Sequence, residues 1–291
     1  MSKQHLTEFK KHNAAIHVDT RSLTITHRKA FNILLWNAWD ELSENKMHSI
    51  GVWELCKMLN FHDVQTLYTE LKKLPGILVE WNLCRDDGWP IDMGACALLA
   101  GFKMTGNSFE YSFFEGFRPH LSNPKLWTKI KIEIANLFTS SYALALYETC
   151  NRYAPKITGD SRCTGDKDVD EWRQLLGIPS TGTYKSFAVV HQKIIKPAVT
   201  QVNKLSDLNI VPEYTKKGRG NALSKLRFVI TRKSDFRLPE RQKELPGLSK
   251  QILAEQITRF APDFNPAEEY LKQSRAGVKP QYGQQLPLLP E

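Results

Sequence analysis

Residues 184–233 read YKSFAVVHQKIIKPAVTQVNKLSDLNIVPEYTKKGRGNALSKLRFVITRK, and the succession of patterns in this stretch decides the fold. Eleven Lys and Arg stand here against two acids, Asp207 and Glu213, a surplus equal to the +9 of the whole chain. A surplus gathered on one ordered element is an electrostatic footprint for a polyanion. Phe187, Val190, Ile194, Ala198 and Val202 recur at helical spacing and predict a long helix over 184–205. Lys185, Gln192, Lys193, Lys196 and Asn203 fall on the opposite side. Pro197 has no N–H to give and is expected to bend this helix. Two strands are expected next, over 208–214 and 224–231, around the turn Lys216-Lys217-Gly218-Arg219-Gly220. The hairpin brings Lys216, Lys217, Arg219, Lys225 and Arg227 to the basic side. A helix of this kind offers amides and cations to phosphates and base edges of a major groove, and the hairpin grips an adjacent backbone as a wing. The bland alternative is a solvated helix face, but a lysine stripe followed directly by a basic hairpin favours DNA.

Upstream, the pattern gives two more helices of the same domain. Ala143, Leu146, Tyr147 and Cys150 make one apolar face. Val169, Trp172 and Leu176 make another, ended by Gly177 and Pro179, with a polar loop expected over 155–168. The first half has the same order. Phe31, Leu34, Leu35, Ala38 and Leu42 predict a first helix, and Val52, Leu55, Cys56 and Leu59 a second. Val64, Leu67, Tyr68 and Leu71 predict a third, capped by Asp63 and stopped by Pro75-Gly76. Strands are expected over 77–81 and 108–114, and over 127–134, where Ile130, Ile132 and Ile134 alternate with Lys129, Lys131 and Glu133. Three helices followed by a hairpin, twice over, define an α+β chain of tandem winged helix-turn-helix domains, each a helical core with a β-hairpin wing. The expected divisions are an arm over 1–21, a first winged-helix domain over 22–137, a second and main DNA-binding domain over 138–236, and a tail over 237–291. The tail is rich in Pro, Gln and charge; one helix is expected over 248–260 and a disordered end after it.

Several motifs resemble the theta-type plasmid replication initiators, the iteron-binding initiator Rep proteins. They are Ser141-Tyr142-Ala143-Leu144-Ala145-Leu146-Tyr147-Glu148, Leu175-Leu176-Gly177-Ile178-Pro179, Lys196-Pro197-Ala198 and Lys216-Lys217-Gly218-Arg219, in the family's order. The resemblance is strong over 140–232 and collinear but weaker over 22–137, through Leu23-Thr24-Ile25-Thr26-His27-Arg28-Lys29. It implies a sequence-specific binder of double-stranded origin DNA that grips iterons as a monomer and helps to open an adjacent AT-rich segment. It also implies a self-associating form, a dimer on an inverted repeat that represses its own gene. Implied host partners are the replication initiator and helicase, in a bacterial cytoplasm. Tyr184, Lys185, His191, Gln192 and Lys193 are implied for base and phosphate contacts, with Lys217 and Arg219 on the wing. His191-Gln192-Lys193 is less basic than the family pattern, so base preference does not transfer. In the first half, Gln65, Thr69, Lys72 and Lys73, beside His27 and Arg28, form a second candidate DNA face; a dimer interface or plain surface fits them as well. Gln285, Leu286, Leu288 and Leu289 resemble a peptide that docks in bacterial sliding clamps, against the plainer alternative of a featureless tail.

Chemistry of other kinds finds little support. The five cysteines (56, 84, 96, 150 and 163) contain no CxxC pair and are expected to be free, mostly buried thiols. The eight histidines give no metal-ligand spacing, so neither metal nor cofactor is expected. Asp166, Asp168 and Asp170 imitate a calcium loop, but Glu171 stands where the turn glycine belongs; a helix N-terminus explains them better. Gly159 to Lys167 fails as a P-loop, and no nucleophile elbow or nicking-enzyme constellation stands out, so a non-enzymatic protein is expected. No run of eighteen apolar residues exists, and no membrane span is expected. A winged-helix transcriptional repressor without an initiating role fits the same reading heads and stays open.

Overall fold

The structure is a computed structural model that describes residues 8–12, 23–84, 90–122, 127–217 and 222–238. A strand β1 (Glu8–His12) comes first and pairs antiparallel with a much later one, residues 127–131. Helix α1 (Ile25–Ala38) starts where the Thr24 hydroxyl accepts the His27 N–H at 3.2 Å. After β2 (His48–Gly51) come α2 (Val52–Leu59) and α3 (Val64–Leu71). Asn60, in the left-handed region at φ 62°, makes the turn between them, and the Asp63 carboxylate accepts the Thr66 N–H at 2.5 Å to open α3. Four strands follow in antiparallel hairpins: β3 (Leu78–Cys84), β4 (Pro90–Ala97), β5 (Gly101–Thr105) and β6 (Ser108–Ser112). β6 lies between β2 and β5, while β3 and β4 form their own two-stranded sheet. A short α4 (Arg118–Ser122), β7 (Trp127–Lys131) and α5 (Ile132–Leu137) complete this half.

The second half is built to the same plan. Helix α6 (Ser141–Tyr153) begins at the Ser140 cap, and the three-residue β8 (Ser161–Cys163) follows. Helix α7 (Val169–Leu176) opens with a capping box in which Asp168 accepts the Glu171 N–H and the Glu171 carboxylate accepts the Asp168 N–H, both at 2.8 Å. Of the acids that imitate a calcium loop, Asp168 caps this helix, Asp170 stands in its first turn 3.6 Å from Arg173, and Asp166 lies 3.9 Å from Arg227. Gly177, at φ 72°, ends α7. A long helix comes next in three pieces: α8 (Phe187–Val190), a π-turn (His191–Ile195) and α9 (Lys196–Leu205). Strands β9 (Leu208–Lys217) and β10 (Ala222–Arg232) form the hairpin, in a sheet ordered β8-β10-β9. Leu226, Phe228 and Ile230 point into the core while Lys225 and Arg227 stay outside.

Three sequence expectations need correction. The isoleucine alternation at 130, 132 and 134 is not one strand: β7 stops at Lys131 and α5 takes over at Ile132. All three isoleucines are buried in either geometry, so a period of two over so few residues does not discriminate. The polar loop over 155–168 contains β8, a strand too short and too exposed to show a pattern. The first half holds β2, β4 and β5 beyond its expected hairpin. Of the cysteines, Cys56, Cys96 and Cys150 are buried and unpaired, but Cys163 on β8 is exposed; the Cys84 side chain lies outside the described residues. The helix expected over 248–260 lies outside them too.

Helix α6 is the spine of the molecule. Its residues 143–151 are buried without a break, polar Glu148, Thr149 and Asn151 included. A helix buried on every side needs a partner for each polar group. Thr149 donates to the Ala145 carbonyl at 2.8 Å. Glu148, fully buried, takes Asn32 Nδ2 at 2.7 Å and Arg28 Nη1 at 3.4 Å from α1. Asn151 donates to the Lys129 carbonyl of β7 and accepts from Arg232 Nη2 of β10. Asp207 adds a second crossing, holding Lys131 at 2.7 Å and Arg232 at 2.9 Å. Removing one partner of a buried pair strands the other. Glu148→Ala is therefore expected to lower unfolding stability by about 3–5 kcal/mol in urea titrations. Adding Arg28→Met should recover part of that loss, and a double variant no more stable than the single one refutes the pairing as its cause.

Candidate nucleic-acid interface

The composite helix starts from a turn that is tied down from behind. Arg173 of α7, buried, donates Nη1 to the Pro179 carbonyl at 2.8 Å and Nη2 to the Lys185 carbonyl at 3.1 Å. This fixes the approach to α8 while the Lys185 side chain stays exposed. Val190, Ile194, Ala198 and Val202 are all buried, so the apolar stripe packs as its spacing implies. Gln192, Lys193 and Lys196 are exposed, and no ion pair ties any of them among the described residues. Tyr184 is half-buried against the core.

Two stripe residues differ from expectation. Asn203 does not face outward as a reader. Its amide donates to the Ile210 carbonyl at 2.9 Å and accepts the Ile210 N–H at 2.7 Å, which ties the helix to β9. His191 is half-buried in an aromatic group, with its ring centroid 5.4 Å from Tyr214 and 6.1 Å from Phe187. It joins the helix to the wing strand β9 through Tyr214.

On the hairpin, Lys225 is exposed. Arg227 faces out directly opposite Glu213, with Nε at 2.8 Å from the carboxylate and Asp166 at 3.9 Å. That pair holds the guanidinium more firmly protonated than usual, first through the Glu213 hydrogen bond. Lys216 and Lys217 pair in backbone register with Leu223 and Ala222. Arg219 lies outside the described residues, as do Gln285, Leu286, Leu288 and Leu289. The segment 180–186 before the helix exposes Ser180, Thr181, Thr183 and Ser186, a run of hydroxyls the sequence reading left aside. Its signal was the Ser/Thr/Gly cluster around Gly182, which sits at φ 64°.

The first half divides its candidates. Gln65, Thr69, Lys72 and Lys73 are exposed on α3 and the turn after it. Lys73 is bound to Glu70 at 2.5 Å, and Thr69 donates back to the Gln65 carbonyl. His27 and Arg28 do not belong to this face, because both are buried. Arg28 is the partner of Glu148, and His27 Nε2 lies 3.1 Å from Glu70 Oε2, joining α1 to α3. The helix-start pattern placed both at a surface, but the residues that cover them come from elsewhere in the chain. Lys29 is drawn in as well, donating to the Asn136 carbonyl at 2.8 Å. Among the described residues no group of three or more His, Cys, Asp or Glu is placed to hold a metal ion, and no helix is long and apolar enough to cross a membrane.

Two helical units, each with a β-hairpin beside its third helix, and a free basic stripe on one of those helices define a tandem winged-helix protein. Comparison with known families makes the class specific. The model described as "Initiator Replication protein, WH1" matches residues 8–151, and "Initiator Rep protein, WH2" matches residues 168–230. Together they span well over half of the sequence, and the chain belongs to the initiator replication protein family. Among solved structures, the fold is similar to that of a Pi initiator protein crystallised in complex with iteron DNA. The match has a TM-score of 0.58 and 16% identity, covering 80% of this chain and 100% of that one. No curated protein sequence matches the chain.

The buried histidines give this fold an acid-sensitive side. Burial, the largest influence on each, lowers the pKa of both His27 and His48 from 6.5. The unfolded chain then binds protons that the folded chain refuses, so their contribution to stability is complete above pH 6.5 and is lost as pH falls below it. Neither ring nitrogen of His48 has a hydrogen-bond partner among the described residues, and the ring packs on Tyr111 and Phe113. His48→Phe is expected to flatten the fall of thermal stability below pH 6.5; an unchanged slope removes His48 as a cause.

Proposed function

We propose that this chain is a plasmid replication initiator that binds the iterons of its origin in double-stranded form through both winged-helix units. The observation that carries this reading is the exposed stripe Lys185, Gln192, Lys193 and Lys196 beside the basic hairpin, on a chain of the initiator family. Gln192 and Lys193 suit base edges, and Lys185, Lys196, Lys225, Lys216, Lys217 and Arg219 suit phosphates. Arg227 joins them when a phosphate displaces Glu213. Tyr184 and His191 border the contact as half-buried rings. Gln65, Thr69, Lys72 and Lys73 form the second contact, whose near-neutral charge leaves it to geometry and specific groups. The units correspond to 22–137 and 138–236.

The same reading makes the protein a non-enzymatic initiator that works in the bacterial cytoplasm. It opens the origin, recruits a host replication initiator and helicase, and represses its own gene as a dimer on an inverted repeat. Docking of Gln285, Leu286, Leu288 and Leu289 in a sliding clamp is a separate element of the proposal.

Gel-shift titration with the DNA beside the gene tests the reading. Stepwise complexes on tandem direct repeats are expected; binding confined to one inverted repeat over the promoter replaces the initiator by a repressor. Lys196→Ala should weaken binding and reduce the slope of log affinity against log salt by about 0.9, the value of one phosphate contact. A weakened variant with an unchanged slope moves Lys196 from phosphate to base contact, and unchanged affinity removes it from the interface.

A further inference from the structure

The helix that carries the exposed stripe is not one regular α-helix, and its irregular turn itself carries two of the exposed polar groups, Gln192 and Lys193. Residues 191–195 form a π-turn in which the Lys196 N–H bonds to the His191 carbonyl, five residues back. The spacing of the buried residues explains why. Val190, Ile194, Ala198 and Val202 follow one another at steps of four. At 3.6 residues per turn each such step overshoots a full turn by about 40°, and three steps drift by about 120°. A uniform α-helix would carry one end of this stripe out of the core, yet all four side chains are at most 2% exposed. One widened turn takes up about 100°, the angle of a single residue, and keeps the stripe on one side. Pro197 favours the same solution. It gives no N–H to the Lys193 carbonyl, and its ring crowds that carbonyl in a tight turn.

We propose that the π-turn His191–Ile195 sets the rotational phase of the reading segment 185–193 against the anchored segment 196–205, and thereby determines which side chains meet base edges. The proposal rests on the DNA-binding reading given above. Within the turn, Ile194 and Ile195 are both buried, while Gln192 and Lys193 just before them are both exposed. The Arg173 bonds to the Pro179 and Lys185 carbonyls fix one end of the segment, and the Asn203 bonds to Ile210 fix the other. Between two fixed ends, the turn is the element that sets the angle at which Gln192 and Lys193 are shown. Ile195 and Pro197 act as positioning residues in this scheme, because neither needs to touch DNA.

Deleting Ile195 tests this directly. The deletion turns the stripe spacing from four-four-four into four-three-four, which suits a regular α-helix, so the variant is expected to fold. Full-length wild type and variant are compared on a duplex carrying one direct repeat from the DNA beside the gene, and on the same duplex with the repeat scrambled. The variant is expected to lose about tenfold or more of its preference for the repeat, with its affinity for the scrambled duplex and its salt slope unchanged. A merely structural role would lower both affinities together. Pro197→Ala, which changes an exposed residue only, is the second variant, expected to lose preference in the same direction by a smaller factor. It decides the matter if the deletion does not fold. A folded variant of either kind that keeps the full wild-type preference overturns the proposal. A wild-type protein that shows no preference overturns the DNA-binding reading instead, and that outcome is visible before any variant is made.

Discussion

Glu148 sits at the centre of a helix that is buried for nine consecutive residues, and a carboxylate there survives only if charge and donors are brought to it. Arg28 and Asn32 bring them, both from a helix more than a hundred residues earlier in the chain. Desolvation, the largest influence, works to lower the Arg28 pKa, and the charge and hydrogen bond of Glu148 oppose it. Much of the rest follows from this. α1 must lie against α6, which places the first helical unit on the spine of the second. Asp207 makes a further join, between Lys131 at the end of β7 and Arg232 on the hairpin. The two halves therefore share one core, and polar contacts cross it at several points.

The same contacts reapportion the basic surplus. Of the eleven cations in 184–233, Arg232 is committed to Asp207, the Pro155 carbonyl and Asn151. Lys233 donates to the Asn203 and Ser206 carbonyls and lies over Phe236. Arg227 is shared with Glu213 and Asp166. Among the described side chains, what stays exposed with no ion pair is a smaller set, Lys185, Lys193, Lys196, Lys204 and Lys225, most of it on the composite helix. Net charge found the segment, but the hydrogen bonds decide which cations are free to act. Both acids of the segment are occupied by these pairings, so neither faces the stripe as an unpaired negative group.

The elements legible in the sequence were those with long apolar periods and side-chain caps. α1, α2, α3, α6 and α7 form where the spacing puts them, and Asp63 caps α3 as expected. Illegible were features that depend on residues distant in the chain. Nothing local in Thr26-His27-Arg28-Lys29 shows that Glu148 and Glu70 will cover two of those side chains, so a buried pair passed for a surface pair. β2 and β8, at four and three residues, are too short for any period to register. Asn203 fell on the polar side of a uniform helical wheel, but its partner Ile210 lies on a strand the wheel does not include. The steps of four from Val190 to Val202 did carry a signal. A period longer than 3.6 held over twelve residues implies an under-wound helix, and Pro197 within it marks where.

Asn203 also resolves a difficulty that the hairpin creates. β9 is an edge strand ten residues long, and an exposed edge of that length invites pairing with another chain. Along an edge, alternate residues turn their N–H and carbonyl groups outward, and for β9 these include Ile210 and Pro212. The Asn203 amide satisfies both groups of Ile210 in the way a neighbouring strand would. Pro212 has no N–H to offer. Further along, the exposed charge of Glu213 opposes strand addition. The base of the wing is thus closed to β-pairing by a side chain of the reading helix itself. Two tasks meet in one contact: Asn203 fixes the helix on the sheet and denies the sheet edge to other strands. An outward-facing Asn at this position would leave both tasks undone, so Asn203 serves the fold rather than the reading face.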